Sequence, residues 1–188
     1  MTTNTHLTGQ FLIAMPTLDD PNFAHTVTYI CQHTEEGALG IVISRPLEDM
    51  RLGDILASMG IEVADEAVAA QPVYFGGPVQ PERGFVLHTP VGDWLGTLAV
   101  DGQVGLTTSR DILEAIAAGR GPEKFLVALG YAGWGAGQLE REMLDNAWFN
   151  VRADPEILFD LIPAQRWKAA AARLGIDLDR MSSQVGHG

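Results

Sequence analysis

At 188 residues, with 46% hydrophobic and 19% charged side chains, the chain is long enough to bury a core without disulfides or metals, and its composition excludes a disordered protein. Twelve basic residues against 24 acidic ones give a formal net charge of -12, and only Lys124 and Lys168 are lysines, so direct nucleic-acid binding is disfavoured. No window approaches the roughly 20 apolar residues that cross a bilayer, and the single cysteine with the unexceptional N-terminus MTTNTHLTGQFLIAMP points to the cytoplasm.

The elements follow in chain order. Phe11 to Pro16 reads as a first strand, stopped by the polar turn LDDPNF. Thr26–His33 and Ala38–Arg45 are β-rich runs joined by a connection of hairpin length, which predicts an antiparallel pair. Leu52, Ile55, Leu56 and Met59 recur at i, i+3, i+4 and i+7, the stripe of an amphipathic helix, with Gly60 placed to end it in the left-handed conformation. Residues 61–71 read as an acidic, Ala-rich connector.

Strands are then expected at Val73–Pro78, Gly84–Thr89 and Thr97–Thr108, the last folded back at Asp101-Gly102. Ser109 is a good N-cap for a helix carrying Ile112, Leu113 and Ile116 and closed by Gly119. The continuous apolar run Phe125–Gly130 suits a strand covered on both faces. After it come four glycines in eight residues, Gly130 to Gly137, then a helix with Leu139, Met143 and Leu144 and a strand WFNV. Asp154-Pro155 and Pro163 carry helix-start signatures, and Trp167, Ala170, Ala171 and Leu174 form one face of a last helix ended by Gly175. One domain over 1–188 accounts for the chain, with polar, mobile ends at about 1–7 and 176–188.

The candidate site residues lie in two Gly-rich segments. Gly133, Trp134, Gly135 and Gln138 belong to GYAGWGAGQLE, where a loop at a helix start would gather main-chain N–H groups for an anion or polar ligand. With Asp154 downstream this imitates a dinucleotide-binding unit, but Gln138 stands where that fingerprint needs its third glycine; the plainer alternative is a tight turn whose glycines take positive φ. Gly76, Gly77 and Pro78 pose the same choice between an N–H nest and a β-turn. The two segments are expected to lie together and shape one concave surface. Trp134 then either plugs the core or offers a flat face with one N–H donor.

Cys31 and His33 lie two apart, so a regular strand would put them on one face, as a buried thiol beside a hydrogen-bonded histidine or, with a third ligand, a metal site. His25, His88 and His187 have no ligand spacing, and His6 stands near the N-terminus. No serine lies in G-x-S-x-G, neither lysine completes a P-loop, and H-E-x-x-H is absent. No catalytic residue, metal or cofactor is implied.

The ordered blocks GQFLIAMP, Phe23, TVTYICQH, GALGIVISRP, YFGGPV, GFVLHT, GYAGWGAGQLE, NAWF and the terminal Gln184-Val185-Gly186-His187 resemble the YqgE/AlgH family of bacterial proteins over nearly the whole chain. Ser44 stands where the family often has Asn, and Arg51 replaces the usual Thr or Ser before Leu52, which blurs where the first helix begins. The resemblance implies a compact, single-domain α+β fold whose branched, largely antiparallel, partly barrel-like β-sheet is surrounded by helices. It also implies a non-catalytic regulatory or interaction protein, one branch being named as a regulator of alginate synthesis, acting through an unknown protein partner or small ligand. The alternative is a ligand-binding protein or enzyme with a pocket at the two Gly segments, bordered by His33, Trp134 and Gln138.

Overall fold

In the computed structural model, which describes residues 6–178 and Arg180, the N-terminal strands pair as their patterns dictate. β1 (Gln10–Ala14) lies antiparallel to β2 (Val27–Thr34), and β2 to β3 (Gly37–Val42), from Thr28 opposite Val42 to Thr34 opposite Gly37. The Thr34 hydroxyl accepts the Glu36 N–H at 3.1 Å and closes the turn. Beyond it, β4 (Pro46–Arg51) runs into helix α1 (Leu52–Ser58). Arg51 offers no side-chain acceptor to that helix, and Asp54 compensates by taking the Arg51 N–H at 2.9 Å. Leu52 and Leu56 are buried, while Gly60 at φ +72 ends the helix: its N–H bonds to Ala57 and that of Ile61 to Leu56.

The stretch expected to be a connector holds a short helix, α2 (Glu66–Ala69), capped by Asp65 through the Ala67 N–H. Then come β5 (Pro72–Phe75), β6 (Val79–Thr89), β7 (Thr97–Ala99) and β8 (Gly105–Thr107). β7 and β8 form the expected hairpin, but its turn spans 100–104, with Asp101 Oδ1 accepting the N–H groups of Gln103 and Val104 at 2.7 and 2.8 Å. The aspartate carboxylate therefore organises this turn, not an Asp-Gly pair in left-handed geometry. Helix α3 (Arg110–Ala117) starts after Ser109 and stops at Gly119, φ +78, as read.

β9 (Lys124–Gly135) is the spine of the fold and the largest departure from expectation. The strand does not stop at Gly130. It continues through Gly133, Trp134 and Gly135, which pair with Leu39, Ala38 and Gly37 of β3. The segment read as a loop is thus extended backbone; only Gly130 (φ +79) and Gly137 (φ +74) take positive φ there. One edge of β9 pairs antiparallel with β6. The other is shared, parallel to β5 at Val127–Leu129 and antiparallel to β3 at Ala132–Gly135. Gly130 lies where the partner changes, so the sheet branches and curls there.

Helix α4 (Gln138–Leu144) is followed by β10 (Trp148–Arg152), which pairs with β1. The sheet order β10-β1-β2-β3-β9-β6-β8-β7, with β4 and β5 as the branch, makes an α+β architecture with a curled, largely antiparallel half-barrel. Asp154-Pro155 begins a π-helical turn at Glu156–Asp160, and α5 (Pro163–Ala172) follows.

Three apolar clusters hold these layers. The largest fills the concave face, where Phe11, Tyr29, Ile41, Phe85 and Leu126 meet Ile157, Leu158, Ala170 and Ala171. Leu178 is buried there and Ile176 packs against it, although both belong to the ending read as polar; residue 179, residues 181–188 with Gln184–His187, and residues 1–5 lie outside the described residues. α1 and α3 cover the convex face through Leu52, Leu56, Ile112 and Ile116 over Val73, Val86 and Val127. A third cluster joins α4 to β1, β2 and β9 through Leu12, Ile30, Trp134, Leu139 and Trp148.

Polar groups fix α5 in place. The buried Arg166 guanidinium donates to the Ile43 carbonyl at 2.6 Å and the Leu161 carbonyl at 3.1 Å and lies 5.1 Å over the Tyr74 ring. Burial lowers its pKa, which the charge and hydrogen-bond interactions with the Tyr74 phenol oppose. Trp167 donates its N–H to the Ala14 carbonyl and stacks on His25, but Leu174, expected on the same apolar face, is 40% exposed.

Candidate functional site

Gly76 and Gly77 do meet the second Gly segment, main chain against main chain. The Gly76 N–H donates to the Leu129 carbonyl at 2.8 Å, and its carbonyl accepts from Val42. A Cβ on Gly76 would lie 2.3 Å from the Gly130 carbonyl oxygen, and one on Gly77 2.0 Å from the Tyr131 carbonyl carbon. The Gly76 donor that an anion nest would need is therefore spent in the sheet, and these glycines are there to let two chains touch. Pro78 is exposed beside them.

Gly133, Trp134, Gly135 and Gln138 lie further along β9 and at the start of α4. Trp134 is buried on the third cluster, against Phe23 and Trp148. Its indole N–H donates to Glu142 Oε1 at 3.0 Å, and the Trp148 indole donates to the same oxygen at 2.9 Å. Gln138 Nε2 donates to Glu142 Oε2, while Gln138 Oε1 accepts the Gly135 N–H. One carboxylate thus holds two indoles and the helix start together, and Gln138 works inside that network. Glu142 was not singled out from the sequence, although its i, i+4 spacing from Gln138 on a helix was the available signal.

On the opposite face of the sheet, Gly133 and Tyr131 border a shallow cleft of about 510 Å³, with Gln32, Leu39 and Val79 around it. A Cβ on Gly133 would touch the Tyr131 ring at 3.4 Å, so the glycine leaves that aromatic surface uncovered.

His33 departs from the expected geometry because β2 contains a bulge between Ile30 and Gln32. The extra residue, Cys31, remains on the concave core, and the bulge turns His33 to the α4 side. The two therefore do not form a pair. Burial pushes the Cys31 thiol far up, which keeps it un-ionised. His33 Nδ1 accepts the Leu7 N–H at 3.0 Å, which places the ring proton on Nε2, 3.2 Å from Glu140 Oε2. No group of three potential metal ligands occurs among the described residues.

Beside this pair Leu7, Met143 and Leu144 line an apolar pocket of about 340 Å³. Leu144, expected on this helix with Leu139 and Met143, is 82% exposed, because α4 turns only its Leu139 side fully inward. Thus the structure gathers His33 with Glu140 and α4, joins Trp134, Gly135 and Gln138 through Glu142, and places Gly76 and Gly77 in the sheet.

The molecule is a curled α+β half-barrel protein with an apolar pocket beside α4. The chain belongs to the AlgH-like family (DUF179), whose model matches residues 11–179. It is 59% identical over 187 residues to a UPF0301 protein of Thioalkalivibrio sulfidiphilus, covering 100% of both chains, and 54% identical to one of Methylococcus capsulatus, covering 97% of this chain and 96% of that one. The solution structure of the AlgH protein from Pseudomonas aeruginosa superposes with a TM-score of 0.81 at 50% identity, over 100% of this chain and 99% of that one. A crystal structure of a protein from Corynebacterium diphtheriae matches in fold, with a TM-score of 0.76 at 20% identity, over 97% and 94% of the two chains. No helix among the described residues is long and apolar enough to cross a membrane.

Proposed function

We propose that this chain is a non-catalytic regulatory protein of the cytoplasm that works by docking a protein partner beside α4. The observation that carries this is Leu144, 82% exposed at the mouth of the apolar pocket it shares with Leu7 and Met143. An exposed leucine over an apolar pocket offers a partner a place for an apolar side chain, with the His33–Glu140 pair as a polar border. The net charge of -12 works against direct contact with DNA, so an effect on transcription would pass through that partner. Affinity capture with the wild-type chain and with Leu144→Glu tests this. Loss of a specific partner in the variant, at unchanged melting temperature, is the expected result. Equal recovery with both chains, or submicromolar DNA binding by the wild type at about 150 mM salt, would overturn it.

A further inference from the structure

A further pocket, of about 300 Å³, opens where the β7–β8 turn, the π-helical turn and the end of β10 meet, and it shares no lining residue with the pocket beside α4. Tyr29 lines it, as do Asp101, Val104, Arg152, Pro155 and Leu158. The Tyr29 side chain is wholly buried, edge-on to Phe11, and its hydroxyl has no hydrogen-bond partner among the described residues. Buried hydroxyls are nearly always bonded to protein or ordered water, so an orphan on a residue that lines a pocket is a donor left over for what the pocket takes up. Burial, reinforced by the nearby Cys31 and Asp101, keeps this phenol protonated and therefore a donor.

Asp101 spends one carboxylate oxygen on the N–H groups of Gln103 and Val104, and no bond to its other oxygen occurs among the described residues. Arg152 likewise makes no side-chain hydrogen bond or ion pair among them. A simple anion would meet the Asp101 charge, and a simple cation would meet Arg152 and leave the phenol unused. A small zwitterion satisfies all three groups.

We propose that this pocket binds a free α-amino acid with a small or aliphatic side chain. Its carboxylate accepts from Tyr29 Oη and Arg152, its ammonium donates to the free oxygen of Asp101, and its side chain packs on Val104, Pro155 and Leu158. The volume lies at the small end of the range for ligand sites, roughly 300–1,000 Å³, and suits such a molecule better than a peptide. The site is independent of the docking surface at α4 and stands or falls without it.

Amide-resolved NMR titration of the full chain with glycine, L-alanine and L-valine is the test, with N-acetyl-valine and valinamide as ligands lacking one charge each. Saturable shifts at Gly102–Val104 and Ala153 are expected with at least one amino acid and should be weaker with both blocked forms. Tyr29→Phe and Asp101→Asn should each weaken binding about tenfold or more while the chain stays folded, since asparagine keeps an oxygen for the Gln103 and Val104 amides. Absence of saturation up to about 10 mM, or equal affinity in Tyr29→Phe, would overturn the assignment; a pocket holding only water would give the first result.

Discussion

A methyl group added at Gly77 tests whether the glycines serve chain contact. The ideal Cβ would stand 2.0 Å from the Tyr131 carbonyl carbon, 2.2 Å from its oxygen and 2.3 Å from the Ala132 nitrogen. Carbon contacts are comfortable at about 3.5–4.0 Å, so the main chains would have to part by more than an ångström. β9 cannot yield easily, because β6 holds one of its edges while β5 and β3 hold the other. Overpacking costs about 1–3 kcal/mol, and the φ of +155 at Gly77 adds strain of about 1–2 kcal/mol. Gly77→Ala should therefore lose about 2–5 kcal/mol, which at about 3 °C per kcal/mol lowers Tm by roughly 6–15 °C. Two glycines calibrate the series. Gly60 has φ +72 and no atom within 4 Å of its Cβ position, so Gly60→Ala should cost about 1 kcal/mol. Gly102 has neither constraint, so its alanine variant should stay within about 0.5 kcal/mol of wild type. Differential scanning calorimetry of the three variants decides. Gly77→Ala melting no lower than Gly60→Ala would refute the interlock.

Glu142→Ala would leave two buried indole N–H groups unpaired and should cost about 2–4 kcal/mol, with altered near-ultraviolet circular dichroism from Trp134 and Trp148; an unchanged spectrum and melt would remove the carboxylate from its central role. His88, buried and bonded to Pro90 O and Thr107 Oγ1, has its pKa lowered by burial below the ordinary 6.5. The unfolded chain then takes up a proton below about pH 6.5 that the native chain resists, so stability present above that pH is lost as pH falls through and below it. Urea titrations at about pH 7 and about pH 5.5 should show this loss, and His88→Gln should reduce the difference; the same slope in both proteins would rule His88 out as its source.

Much of the fold was legible because local rules and tertiary demands agreed. The β2–β3 hairpin, the α1 stripe with Gly60 and the α3 helix between Ser109 and Gly119 all stand where pattern put them, although the Ser109 hydroxyl bonds Asp111 and the Gly96 N–H and makes no cap bond to α3. The shorter pieces were not. α2 has no buried residue to give it periodicity, and the exposed β4 has too little apolar alternation to stand out from a connection. Cys31 shows a different kind of loss: period-two counting puts it beside His33, and one bulged residue, which no local pattern announces, moves the histidine to the opposite layer.

The glycines around β9 explain why the site was harder to read than the fold. A cluster such as GYAGWG has the same composition whether its glycines supply positive φ in a loop or remove side chains where strands converge. Which one operates depends on what lies across from each glycine, and that is a property of distant sequence. Opposite Gly130 runs the Gly77 carbonyl, and opposite Gly37 runs that of Trp134, each 2.3 Å from where a Cβ would stand. The motif that identifies the family is thus largely the signature of a branched sheet whose main chains touch. It constrains the scaffold. Leu144 on α4 and Tyr29 beneath the β7–β8 turn lie outside it, one exposed where an apolar side chain is expected to be covered, the other buried where a hydroxyl is expected to be bonded. Each violates the burial rule that the surrounding core obeys, and those violations are where binding should be sought.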